Sequence, residues 1–191
     1  KFKKCIFTQT ILLGTKGEDD KANLAGIDVI ESKFSEVKIE NINFKNSEWV
    51  DCDFDRCAII NSGFSPTTMK NLKFQMNNPD FEDKGFKEVD FGRAKIENVD
   101  FSGNEFYSTY FTVSEIISSK FKNTDMYDVS FKDSPKLSAD FSRSTMRTVN
   151  FQNAKVHFPK KVDESPIPDS KFTDCKMLDA VNFNESNYIY E

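Results

Sequence analysis

The sequence predicts an all-β solenoid, a wall of short strands in which each coil pairs with the coils above and below it. Three observations carry this reading. Phenylalanine fills 20 of 191 positions, large apolar residues recur at every fifth residue over most of the chain, and a small or β-branched residue stands two before most of them. A five-residue step suits neither a helix nor a flat strand. On a helix it advances about 500°, so the large residues would spiral around the cylinder. On a continuous strand side chains alternate with period two, and an odd step throws successive large residues onto opposite faces. The chain must turn once per unit to keep every large side chain inside.

The blocks follow in order. Phe2, Phe7 and Leu12 form a short first block, after which residues 13–21 shift the register by two. The second block is Leu24, Val29, Phe34, Ile39, Phe44, Trp49, Phe54, Ile59, Phe64, Met69 and Phe74. Residues 75–80 shift the register again. The third block then reads Phe81, Phe86, Phe91, Ile96, Phe101, Phe106, Phe111, Ile116, Phe121, Met126 and Phe131, and resumes with Phe141, Met146, Phe151 and Val156. Near Pro135 the nominal inward slot falls on Lys136, and a local bulge is expected to put Leu137 there instead. Residues 157–169, with three of the six prolines, are the longest break; Phe172, Met177, Phe183 and Tyr188 keep the spacing less cleanly. Phe takes most alternate centres, so two inequivalent sides alternate, as expected of a coil with an even number of sides. The whole of 1–191 reads as one domain. Insertions in a solenoid map to loops beyond the wall; 75–80 reads as a tolerated surface loop, and 157–169 is open between a loop and a binding element.

Composition excludes several classes. A chain this aromatic is not disordered, and 7 Gly and 6 Pro fall below the about 13 and about 10 of average usage, so it is no Gly/Pro-rich linker. No apolar run approaches the roughly 18 residues of a membrane span. The opening Lys1-Phe2-Lys3-Lys4 and the short apolar stretch Thr10 to Leu13 do not form a signal peptide; a first residue other than Met fits a processed chain or a piece of a longer one. The net charge of −5 argues against direct nucleic-acid binding, which needs a basic face. The mean hides patches: residues 80–119 hold nine acids against four bases, 120–161 four against nine, and 162–191 seven against two.

The units Ala22-Asn23-Leu24, Cys52-Asp53-Phe54, Val89-Asp90-Phe91, Val99-Asp100-Phe101, Ala139-Asp140-Phe141 and Val149-Asn150-Phe151 resemble the A-(D/N)-(L/F)-x-x signature of pentapeptide-repeat proteins. The chain departs from that signature in using Ser, Thr and Val where Ala is typical, and Phe over Leu. The resemblance implies a right-handed quadrilateral parallel β-helix with twenty residues per coil, and thus seven or eight coils in a rod roughly 35–40 Å long at the usual strand spacing.

Enzymatic chemistry finds little support in the residues. Cys5, Cys52, Cys57 and Cys175 each stand two before a large inward residue, where a small buried filler is expected; a zinc site or disulfide framework is not. The single histidine, His157, lacks a Cys or Ser partner nearby and is read as an ordinary surface residue. Asp53, Asp90, Asp100 and Asp140 precede phenylalanines, and a paired-carboxylate glycosidase is weaker than a solvated wall of repeat residues. No GxGxxG, P-loop or GxSxG occurs. No catalytic residue, metal or cofactor is expected.

One constellation remains. With twenty residues per coil, the slot just after the large residue stacks Lys87, Tyr107, Tyr127 and Arg147, and Tyr110 adds an outward aromatic nearby. Tyr and Arg are enriched in binding hot spots; the competing reading is cross-coil packing alone. Val50, Ile60 and Ile117 are expected to be isolated outward apolar residues. The sequence thus points to a non-catalytic protein–protein interaction module. The resemblance implies two settings: the partner- or substrate-binding β-helix of a larger bacterial HECT-like ubiquitin-ligase effector, or a DNA mimic that inhibits a type II topoisomerase. The partner would be a host protein or a topoisomerase, with the chain cytoplasmic, or secreted into the host cell in the effector setting. Monomer and end-to-end dimer are both open.

Overall fold

The computed structural model describes residues 1–14, 22–77, 85–158, 170–178, 181–183 and 187–190. Its strands are short and parallel throughout, and each pairs with the strand one coil away. They form four walls. One carries nine strands, from Phe2–Lys3 to Asn187–Tyr190; the opposite of its two long sheets carries eight, from Ile11–Leu13 to Lys176–Leu178. Two further sheets of four and two strands are prolonged by isolated bridges such as Lys73↔Asp100 and Asp90↔Tyr110. In chain order we call them walls 1 to 4, centred on Val29, Phe34, Ile39 and Phe44. This is the four-sided parallel β-helix that the resemblance to pentapeptide-repeat proteins implies. Nine strands on wall 1 make a stack of roughly 38 Å at about 4.8 Å per coil.

The two inequivalent sides are walls 2 and 4, which are lined by phenylalanine. On wall 2 an unbroken stack runs Phe7, Phe34, Phe54, Phe74, Phe101, Phe121, Phe141 and Phe172, with ring centroids 4.6–5.1 Å apart. On wall 4 Phe44, Phe64, Phe91, Phe111, Phe131, Phe151 and Phe183 stack at 4.7–5.2 Å. The stacks meet edge to face across the axis, as Phe121 does with Phe111 and Phe131 at 5.5 and 5.6 Å, the arrangement the ring quadrupole favours. Walls 1 and 3 supply the aliphatic, Met and Trp centres.

Most units turn through a residue in the left-handed region. Among the described residues twenty-three non-glycine residues have positive φ, each two after a large inward residue, and eleven of them are Asn or Asp, the side chains that tolerate this conformation best. At several corners their amides form ladders: Asn61 donates to Asn41 at 2.7 Å, Asn71 to Asp51 at 2.9 Å and Asn98 to Asn71 at 2.9 Å. The small inward slot explains the departure from Ala. Ser62 and Ser119 donate to the carbonyls of Ile60 and Ile117 and accept from the N–H of Ile42 and Val99 on the preceding coil. A buried backbone donor is thereby satisfied where Ala would leave it unmade.

The breaks are larger than the sequence register suggests. Phe2 lies opposite Val29 and Met69 opposite Ile96, so those coils span 27 residues and each shift of two is a seven-residue insertion. Phe86, not Phe81, takes the slot after Phe74, since it pairs with Ile59; Phe81 lies outside the described residues, as do 15–21, 78–80 and 159–169. The bulge at Pro135 is present: Ile116 faces Leu137 whereas Ser119 faces Ala139. Ile60 is buried (6% exposed), in register between Glu40 and Lys87, and Val50 pairs with Ile30, so neither is an isolated outward apolar residue. His157 is also buried (6% exposed). It sits on the wall 1 strand Lys155–Phe158 between neighbouring coils, and its carbonyl accepts the Ser170 N–H at 2.7 Å. Among the described residues no helix is long and apolar enough to cross a membrane.

Candidate functional site

The strands Glu105–Tyr110 and Asp125–Ser130 turn the corner from wall 3 to wall 4 without a break. Their inward residues Phe106, Thr109, Met126 and Val129 are buried, and this anchoring fixes which side chains face out. Lys87 faces Tyr107, Tyr107 faces Tyr127, and Tyr127 faces Arg147 in direct cross-coil register. The structure therefore brings four of the five expected residues into one column. Tyr110 lies across the corner on wall 4, between Asp90 and Ser130.

Tyr107, Tyr110 and Tyr127 are 42, 41 and 51% exposed. The Tyr107 and Tyr127 rings are tilted by 43° with centroids 6.3 Å apart, looser than any stack on walls 2 and 4, so each keeps part of a face open. Arg147 is exposed and Lys87 half-buried. The column ends at Ile60, which is buried, and at Leu178, which is exposed.

Carboxylates surround the tyrosines. On the other outward slot of wall 3 Glu105 lies directly opposite Asp125. Along the corner Ser108 donates to Asp128 at 3.0 Å. Burial pushes the Tyr110 phenol above its ordinary range, and Asp128 and Glu88 push it further. This acidic surround was not read from the sequence. Its signal was present, because Glu105 and Asp125 are twenty residues apart, as are Ser108 and Asp128.

The other candidates have structural roles. Cys52 and Cys57 are buried and donate to the carbonyls of Val29 and Phe34 at 3.4 Å; burial pushes both thiols up to about 11. Asp90, Asp100 and Asp140 accept the N–H of Gly92, Ser102 and Ser142 at 2.7–3.0 Å. These are Asx turns that close the corner after the strand, which gives Asp90, Asp100 and Asp140 a structural role before their phenylalanines.

The outward slots of wall 2 are different again. Lys33, Asp53, Lys73, Asp100, Lys120, Asp140 and Lys171 follow one another in register, an alternation that gives every charge in it an opposite neighbour. Lys120 reaches Asp100 at 4.0 Å, and Lys122 reaches Asp140 at 3.1 Å.

No family model matches the chain, and no curated protein matches it by sequence. Among solved structures, a trypsin-treated variant of QnrB1, a plasmid-mediated fluoroquinolone resistance protein, is similar over 92% of this chain and 91% of its own, at 11% identity and a TM-score of 0.39. HetL, a pentapeptide repeat protein involved in heterocyst differentiation regulation from the cyanobacterium Nostoc, is similar over 100% of this chain and 91% of its own, at 8% identity and a TM-score of 0.27. A pentapeptide repeat protein from the thylakoid lumen of Arabidopsis thaliana covers 74% of this chain with 70% of its own length, at 14% identity and a TM-score of 0.27. Two of these three similar structures are of pentapeptide repeat proteins.

Proposed function

We propose that the chain is a non-catalytic protein-binding β-helix whose docking surface is the column Lys87, Tyr107, Tyr127 and Arg147, with Tyr110 beside it. The observation that supports this most is the exposure of three tyrosines at one corner on a rod whose other outward slots are mostly polar. Rigid aromatics and a planar guanidinium carry a large share of interface energy. The setting we favour is the partner- or substrate-binding part of a larger bacterial effector. Topoisomerase inhibition by DNA mimicry would want continuous negative potential, and the alternating charges of wall 2 do not supply it.

The test is capture of partner proteins from host-cell and bacterial lysates by the wild type and by Tyr107→Ser/Tyr127→Ser. The double variant should fold normally by circular dichroism, because the inward phenylalanines remain, and its affinity should fall at least tenfold, about 1.4 kcal/mol. Unchanged partners at unchanged affinity would reduce the ladder to coil packing. Capture of a type II topoisomerase by both forms would favour the mimic instead.

A further inference from the structure

The corner that carries the tyrosines also sets like charges face to face, as wall 1 does with Asp28 and Glu48, where Lys1 reaches Asp28 at 3.6 Å. On wall 2 Asp53, Asp100 and Asp140, in the slot before the inward phenylalanines, each face lysines in register. On wall 3 Glu105 faces Asp125, with Gly85 and Thr145 on either side, so no cation directly faces either carboxylate. Like charges directly opposite on paired strands are destabilising. Among the described residues neither carboxylate, nor Glu88 nor Asp128 on the adjoining corner, takes part in a salt bridge. Across this corner one coil presents Glu105, Tyr107, Ser108 and Tyr110, and the next presents Asp125, Tyr127, Asp128 and Ser130.

We propose that this corner binds an extended arginine- or lysine-bearing segment of a partner protein, its cationic heads lying against Tyr107 and Tyr127 and between Glu105 and Asp125. This rests on the reading of the column as a docking surface and names the chemistry of what docks. A guanidinium or ammonium within about 6 Å of a tyrosine ring is attracted by its face, and the tilted Tyr107–Tyr127 pair leaves such faces open. The same head relieves the Glu105–Asp125 repulsion, which no salt bridge among the described residues relieves. An extended segment presents alternate side chains about 6.8 Å apart, the same interval that separates the Glu105 and Tyr107 slots on their strand. The uncompensated acids thus fit a basic segment and disfavour an acidic one.

The probe is a capped heptapeptide alternating Gly and Arg, titrated into the full chain while the tyrosine ring resonances are followed, with the Gly/Glu heptapeptide as its counterpart. The arginine peptide should shift Tyr107 and Tyr127 and bind more weakly as salt is raised; the glutamate peptide should not bind. Glu105→Gln/Asp125→Asn should lose at least tenfold in affinity while the free variant melts at a higher temperature, which separates lost binding from lost folding. Asp53→Asn on wall 2 should leave peptide affinity unchanged. Binding of the arginine peptide no better than the glutamate one, or equal binding by Glu105→Gln/Asp125→Asn, would overturn the assignment. Lysate capture distinguishes this failure from failure of the docking surface. Loss of partners with Tyr107→Ser/Tyr127→Ser but not with the charge-neutralised variant would leave the surface and remove the basic segment.

Discussion

Truncating Phe121 to Ala tests the wall register at its most demanding point. The ring is fully buried and stacks on Phe101 at 4.8 Å and on Phe141 at 5.1 Å, with edge contacts to Phe111 and Phe131. A buried Phe→Ala change costs about 3–5 kcal/mol, and the value depends on how far the site can collapse. Here collapse is blocked. The backbone ladder holds the Phe101 and Phe141 coils two strand spacings apart, roughly 9.6 Å, and neither ring can approach without breaking it. We therefore expect the upper half of the range, about 4–5 kcal/mol, read as a drop in urea midpoint at unchanged slope. Phe121→Leu should fall between wild type and Ala. Lys95→Ala, on an exposed slot of wall 1, should stay within about 0.5 kcal/mol. Similar losses at Phe121 and Lys95, or a loss below about 1 kcal/mol at Phe121, would refute the assignment of inward and outward slots.

Two further outcomes follow from the titrating groups. Cys52 and Cys57, with thiols pushed up to about 11, should resist Ellman's reagent at pH 8 in the native chain and react once urea unfolds it; fast labelling of the folded chain would contradict their burial. At Asp140 burial raises the carboxyl, but the Ser142 hydroxyl at 2.6 Å, the Ser142 N–H and Lys122 outweigh it and hold the group below the usual 3.8. A depressed folded value means the stabilisation is present above about pH 4 and is lost as pH falls through the folded value. Asp140→Asn should accordingly be less stable than wild type at pH 7 and converge with it in acid; parallel pH curves would refute the linkage.

Most of the fold was legible because one number, five, controls both the inward slots and the turns. What the period could not carry was anything congruent to it. A seven-residue insertion appears as a shift of two, so the sequence register placed Phe81 in the wall when Phe86 takes the slot. The same insertion hid the alternation on wall 2, where Lys73 and Asp100 are neighbours 27 residues apart. The tyrosine column was legible because Lys87, Tyr107, Tyr127 and Arg147 lie in an uninterrupted twenty-residue stretch of the register. His157 was misread because an outward slot is exposed only where nothing packs over it. The left-handed corners gave no sharp signal either, since Lys, Arg, Glu, Ser and Thr share the position with Asn and Asp.

Local rules fail together in one short stretch. Glu105 faces a like charge, Tyr107 and Tyr110 are exposed aromatics, and Val113 is a β-branched residue held at φ 60° on the next corner, a conformation such side chains rarely adopt. Natural chains tend to break local rules where function requires it, and the sign of stability changes distinguishes that from ordinary packing. Val113→Asn should raise stability by about 1 kcal/mol, because the left-handed region disfavours a branched Cβ and the exposed side chain has little packing to lose. Glu105→Gln should also stabilise, by a few tenths of a kcal/mol, as the repulsion from Asp125 disappears. Asp53→Asn should do the reverse by a similar amount, since it leaves Lys33 and Lys73 without the carboxylate between them. Thermal melts of the three variants decide the matter. If Glu105→Gln and Asp53→Asn shift the melting temperature in the same direction, the acids on wall 3 are no more frustrated than those on wall 2, and the corner loses its distinction.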